Sequence, residues 1–192
     1  MHDAILPEAE QRKTSRVLEK RTSLRHKPDD PTASSMLENV QPELTLEQLR
    51  ALPAVEMDFN TPEGAILCLE DACRRQSIES ACMCRNFLIE GILMLLEADP
   101  NLARNAELRK RNATLLEQKC RQELAEAWPD FKGVESFFID RQRYINGVVV
   151  VTELRRLADG SFNKLNLLVA STVSGWRVLN EVADSEIQGE VE

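Results

Sequence analysis

The sequence predicts an α+β fold in which helices pack on an antiparallel sheet, with an N-terminal arm. Between Pro62 and Trp128 apolar residues recur at three- and four-residue spacing, the repeat that lines one face of a helix. After Gly133 the pattern changes to short runs rich in β-branched residues, separated by Asn146-Gly147, Asp159-Gly160 and Ser174-Gly175. Such pairs suit tight hairpin turns. Helices first and hairpin-linked strands afterwards fit a meander covered by helices, not interleaved parallel units.

Residues 1–43 lack sustained apolar periodicity and include Lys27-Pro28-Asp29-Asp30-Pro31, so they read as a flexible or weakly helical arm. Residues 44–57 read as a short helix and linker, opened by the capping box Thr45-Leu46-Glu47-Gln48. The main domain spans 58–183. Thr61 can cap its first helix, Pro62 suits the first turn and Glu63 complements the positive helix end. Ile66, Leu69 and Cys73 form that helix's apolar stripe. A second helical stretch, dividing near Asn86, has Ile78, Ala81, Cys82, Phe87, Leu88, Ile92, Leu95 and Leu96 as expected core, with Gly91 a weak point. A longer helix starts at Asp99-Pro100-Asn101 and ends at Pro129, with Leu108, Leu115, Leu116, Cys120, Leu124 and Trp128 on its apolar side. Four strands follow over 134–141, 148–157, 164–173 and 176–182, and 184–192 is an acidic tail.

Val148 to Val151 and Leu165 to Ala170 lack clean alternation, so the central strands read as covered on both faces. Helices are one cover. The other is a cavity lining, a second subunit, another protein, or simply the packing of an ordinary twisted sheet.

The net charge of −8 conceals two regions. Residues 1–27 hold seven Lys/Arg and four Asp/Glu, leaving 17 basic and 28 acidic residues in the rest. An acidic body repels phosphate backbones and favours a basic partner, so direct binding of nucleic acid is not expected. The longest strictly apolar run, Ile92 to Leu96, is far short of a membrane span, and charged residues occupy the place of a signal peptide's apolar segment. A cytoplasmic protein with no membrane association is expected, and its five cysteines are expected to be reduced.

Catalytic chemistry finds few residues. Both histidines, His2 and His26, fall in the arm, which removes a histidine–carboxylate dyad from the main domain. Cys82-Met83-Cys84 lacks the further ligands of a zinc module, so the cysteines read as core thiols and no metal or cofactor is expected. Seven dispersed glycines supply no phosphate-binding loop. Arg109-Lys110-Arg111 reads as a solvated helix face. Tyr144, the sole tyrosine, lies near Asp140 and Glu153 in sequence, which leaves two readings open: an isomerase-like base and oxyanion donor, or solvated strand ends and ion pairs.

The run Phe59 to Ala72, the charged second helix and the close Gly175-Trp176-Arg177-Val178-Leu179-Asn180 resemble the nuclear-transport-factor-2-like superfamily, and within it the bacterial immunity-protein branch. The resemblance covers about residues 58–183. It implies a cystatin-like cone of helices wrapped on a curved antiparallel sheet. The short early strand often found among that family's helices is not evident here. The function implied is a non-catalytic immunity protein neutralising a cognate toxin with a basic surface, a nuclease by charge complementarity, with a homodimer as a further partner state. The partner-binding candidates are Glu135, Asp140, Tyr144, Glu153 and Asp159. The alternative is small-molecule binding or isomerase-like chemistry in the cone cavity.

The arm offers too little apolar surface to sustain the main core. Deletion through Pro31 is therefore expected to leave cooperative thermal unfolding in place; a truncated chain without a cooperative transition would assign the arm a structural role.

Overall fold

The computed structural model describes residues 44–183; the arm and the acidic tail lie outside them. Among the described residues five helices precede one antiparallel sheet. The helices are α1 (Leu46–Arg50), α2 (Pro62–Arg74), α3 (Ile78–Met83), α4 (Phe87–Ala98) and α5 (Ala106–Glu126), with a 3-10 turn at Leu102–Arg104. The strands are β1 (Glu135–Ile145), β2 (Val148–Arg156), β3 (Phe162–Thr172) and β4 (Gly175–Val182), paired in sequence order. The fold is thus α+β, with helices on an antiparallel sheet.

Local chemistry starts α1, α2 and α4 where the sequence expects them. Thr45 and Gln48 form the reciprocal capping box, and Thr61 Oγ1 accepts from Gly64 N at 3.0 Å. Asn86 Oδ1 accepts from Ile89 N at 3.0 Å, dividing α3 from α4. The long helix starts later than expected. A 3-10 turn intervenes after Pro100, and Asn105 supplies the cap by accepting from Glu107 N and Leu108 N. Its last helical residue is Glu126, so Trp128 packs from the following loop.

Both faces of the sheet are covered by the chain itself. Val149, Val151, Val169 and Val178 meet Ala65, Ile66 and Leu69 of α2. The register pairs Val148 with Ala170 and Val150 with Leu168 on the opposite face, where Ile89 and Leu93 of α4 pack. Farther along that face, Leu154 and Phe137 bury Leu49 of α1. The second cover therefore needs neither a cavity nor a second subunit.

To place α2 and α4 on opposite faces, the chain must pass around one edge of the sheet. It does so at β4. Val178 N donates to Cys84 O at 2.9 Å and Asn86 N donates to Val178 O at 3.1 Å, making a one-residue parallel bridge at Arg85. Trp176 N donates to Phe59 O at 2.8 Å. These bonds engage the first half of the outer edge of β4, at Trp176 and Val178, and supply a rudimentary strand among the helices, which the sequence did not reveal. Beyond the edge, α3, α4 and α5 enclose Ala81, Cys82, Phe87, Cys120 and Leu124.

Three expected core residues are exposed: Leu88 and Leu96 on α4, and Leu115 on α5. α4 is apolar nearly all round, so periodicity could not tell which side meets the sheet. Gly91 is a contact point, not a weakness. An added Cβ there would lie 3.3 Å from Asn112 Nδ2, which donates to Gly91 O at 3.0 Å and joins α4 to α5.

Gly175 stands at φ +99°, and a Cβ would lie 2.5 Å from Phe59 O. Gly147 also has positive φ, at +75°, but faces open space. Gly175→Ala is expected to cost about 2–3 kcal/mol and Gly147→Ala about 1 kcal/mol. Urea unfolding compares them; equal losses would refute the close approach of Phe59 to β4.

Candidate functional site

The most concentrated polar chemistry lies under α2. Glu70 falls four residues after Ile66 and three before Cys73, so it shares the helix's inward face. Glu153 lies within the apolar run of β2. Both carboxylates are buried, at 1% and 0% exposure.

Arg155 joins them. Its Nη2 donates to Glu153 Oε2 at 2.9 Å and to Glu70 Oε1 at 3.0 Å, and its Nε donates to Glu153 Oε1 at 3.1 Å. Ser136 Oγ donates to Glu70 Oε1 at 2.9 Å, and Arg74 Nη2 to Glu70 Oε2 at 3.2 Å. The guanidinium carbons of Arg74 and Arg155 stand 5.4 and 4.9 Å from the Phe131 ring centroid, within cation–π range. One cluster thus ties α2 to β1, β2 and the loop before β1.

Burial, followed by the neighbouring Glu153 charge, pushes the Glu70 carboxyl up to about 7, against the opposing pull of Arg155. A raised acid beside a second carboxylate can hold a proton near neutrality. General acid–base catalysis also needs the acid within hydrogen-bond reach of a substrate, and neither carboxylate reaches the surface. An open hollow of about 560 Å³ lies nearby, lined by Arg74, Trp128, Phe131, Lys132 and others, but neither glutamate lines it. In this conformation the dyad is a structural tie.

A second buried ion pair marks the crossing at β4. Arg85 Nη2 donates to Glu90 Oε2 at 2.8 Å and to Leu179 O at 2.5 Å, while its guanidinium lies over Phe87. The cysteines pack around this region. Burial pushes the Cys73, Cys82 and Cys84 thiols up to about 11, which suppresses the nucleophilic thiolate at neutral pH. Among the described residues no group of three His, Cys, Asp or Glu side chains is arranged to hold a metal ion.

The five candidates taken from the sequence separate. Glu153 is a correction: it lies inside the Glu70–Arg155 cluster, so no partner reaches it in this conformation. Glu135 pairs with Arg50 and Arg156, both at 2.8 Å, and their hydrogen bonds hold its carboxyl below the usual range. Asp159 shapes the β2–β3 turn by accepting from Ser161 N at 2.9 Å and Ser161 Oγ at 2.6 Å, which lowers its pKa. Asp140 and Tyr144 lie together on the exposed half of β1.

Asp140 opposes Thr152 whereas Glu153 opposes Phe138, which puts the two acids on opposite faces of the sheet. Asp140, Tyr144 and Glu153 therefore do not converge. The Glu70 cluster was missed although its signal was present: a glutamate within a helix's apolar stripe and another within a valine-rich strand, followed by an arginine two residues on.

β1 is an edge strand, and every residue from Ile139 to Ile145 is exposed. Among the described residues no strand or loop pairs with its outer edge. Bulges at Ile139 and Tyr144 bracket the regular run Asp140 to Arg143. Bulges and charges of this kind restrain promiscuous edge pairing while leaving backbone groups accessible to a matched partner.

Compared with known protein families, curated proteins and solved structures, the chain matches none. Among the described residues no helix is long and apolar enough to cross a membrane.

The raised Glu70 pKa sets a sign for stability against pH. Folding favours the protonated acid, so its contribution is fully present below about 4.5, the ordinary value, and is lost as pH rises through about 7. Unfolding free energy is expected to fall by about 3 kcal/mol from this group between those limits. Glu70→Gln stays neutral and should flatten the decline. Urea titrations from pH 5 to 8 with the same slope in both proteins would show that Glu70 is not its source.

Proposed function

We propose that this protein is a non-catalytic immunity protein that binds a cognate bacterial toxin and blocks its active site or the approach of its substrate. The observation that carries the reading is the open edge of β1. Ile139, Tyr144 and Ile145 are each more than a third exposed there, beside polar and charged groups suited to orienting a partner. The titratable dyad and the thiols, by contrast, are engaged in holding the fold together.

Charge supports the same class of function. A body with 28 acidic and 17 basic residues outside 1–27 speeds encounter with a basic protein, and nucleases carry basic surfaces because they bind phosphate backbones. Blocking such an enzyme takes an interface of standard size with a few buried anchors. The isomerase-like alternative has no convergence of Asp140, Tyr144 and Glu153 to support it.

Co-expression with a panel of bacterial nuclease toxins, drawn first from any encoded in the neighbouring genes, tests the proposal. Restored growth together with a co-purifying complex is the expected result. Continued killing with no complex recovered would sink the immunity reading.

A further inference from the structure

The two edges of the sheet differ. Phe59 and the Cys84–Asn86 segment pair with β4 at Trp176 and Val178, whereas among the described residues the outer edge of β1 has no such partner. The binding reading proposed above leaves unspecified what chemistry this edge accepts, and its charge pattern narrows the choice.

A second copy is a poor occupant. Antiparallel self-pairing that keeps both sheets' faces matched must centre on Asp140, Arg141 or Gln142 to use the regular run. Those registers set Asp140 against Asp140, Arg141 against Arg141, or Arg141 against Arg143. Like charges placed directly opposite destabilise a strand pair.

The same run presents two cations. Arg141 and Arg143 oppose Val151 and Val149 of β2, so both lie on one face, two residues apart. Arg141 is steadied by Glu63 at 3.5 Å and keeps 54% of its side chain exposed; Arg143 is steadied by Asn146 Oδ1. The preceding acid, Asp140, opposes Thr152 and so lies on the other face, where it does not cancel them. Asp140 Oδ1 already accepts from Arg141 N at 2.8 Å and Oδ2 from Gln142 Nε2 at 2.6 Å.

We propose that the outer edge of β1 accepts an extended acidic segment of a partner protein as a fifth strand, with carboxylates at alternate positions paired to Arg141 and Arg143. This rests on the binding reading and names the segment it requires. Main-chain hydrogen bonds supply attraction common to any strand, and the two-residue spacing of the arginines supplies selectivity. A partner basic overall but carrying one acidic strand satisfies both the body's net charge and this local edge.

The test uses the full chain, isotopically labelled, titrated with a nine-residue peptide alternating Glu with Val or Thr, and with the same peptide carrying Lys in place of Glu. The acidic peptide should shift amide signals from Ile139 to Ile145, and about 0.5 M salt should weaken the response. The double variant Arg141→Glu/Arg143→Glu should bind it roughly tenfold more weakly and gain affinity for the lysine peptide. Arg109→Glu/Lys110→Glu, on α5, should behave as the unaltered protein. Equal responses to both peptides, no response at 139–145, or undiminished binding by the Arg141/Arg143 variant would overturn the inference. Toxin neutralisation that persists without edge binding rejects the edge alone, and edge binding without neutralisation rejects the immunity reading alone.

Discussion

The passage of the chain around the β4 edge is the constraint on which the rest of the structure depends. With Cys84 and Asn86 hydrogen-bonded to Val178 on either side of Arg85, α2 is left on one face of the sheet and α4 reaches the other. Backbone groups at a sheet edge need partners when they are buried, and the crossing segment supplies them. The same bonds place Arg85 beside Leu179 and Glu90, so one short segment sets the backbone path and holds a buried charge. Covering both faces consumes the apolar residues of β2 and β3 inside the chain.

The Glu70 cluster complements that crossing from the other side of the sheet. Ion pairs of this depth stabilise little overall, because desolvation offsets much of their attraction. Removing one member would nevertheless leave a buried charge without compensation, at a cost of about 3–5 kcal/mol. The cluster therefore specifies how α2 sits more than it adds to stability: Glu70 must meet Ser136, Glu153 and Arg155 together. The high thiol pKa values agree with a region organised for packing rather than for reaction.

Among the described residues both faces are covered and part of the β4 edge is paired, and the outer edge of β1 remains open to an added strand. Its inner half is anchored by Phe137 against Leu154, and its outer half projects as a bulged, charged edge. Recognition at such an edge uses backbone hydrogen bonds whose positions are fixed by the neighbouring strands, so a rigid sheet presents them without an ordering cost. Glu135, at the opposite end of the strand, and Asp159, in the β2–β3 turn, are occupied with ion pairing and turn formation.

Local chemistry was legible in the sequence. The caps at Thr45 and Thr61, the division near Asn86, the glycines of the hairpin turns and the order of helices before strands depend on residues close together along the chain, where propensity and periodicity act directly. The two-sided covering of β2 and β3 was also visible in the lack of clean alternation along Val148 to Val151 and Leu165 to Ala170. Tertiary structure decided what covered the second face, which side of α4 met the sheet, that Glu153 would be buried against Glu70 across 83 residues of sequence, and that Asp140 and Tyr144 would share an open edge. Periodicity shows that a residue is suited to burial, but the partner that buries it is chosen by long-range packing and by where unpaired backbone and charge can be satisfied.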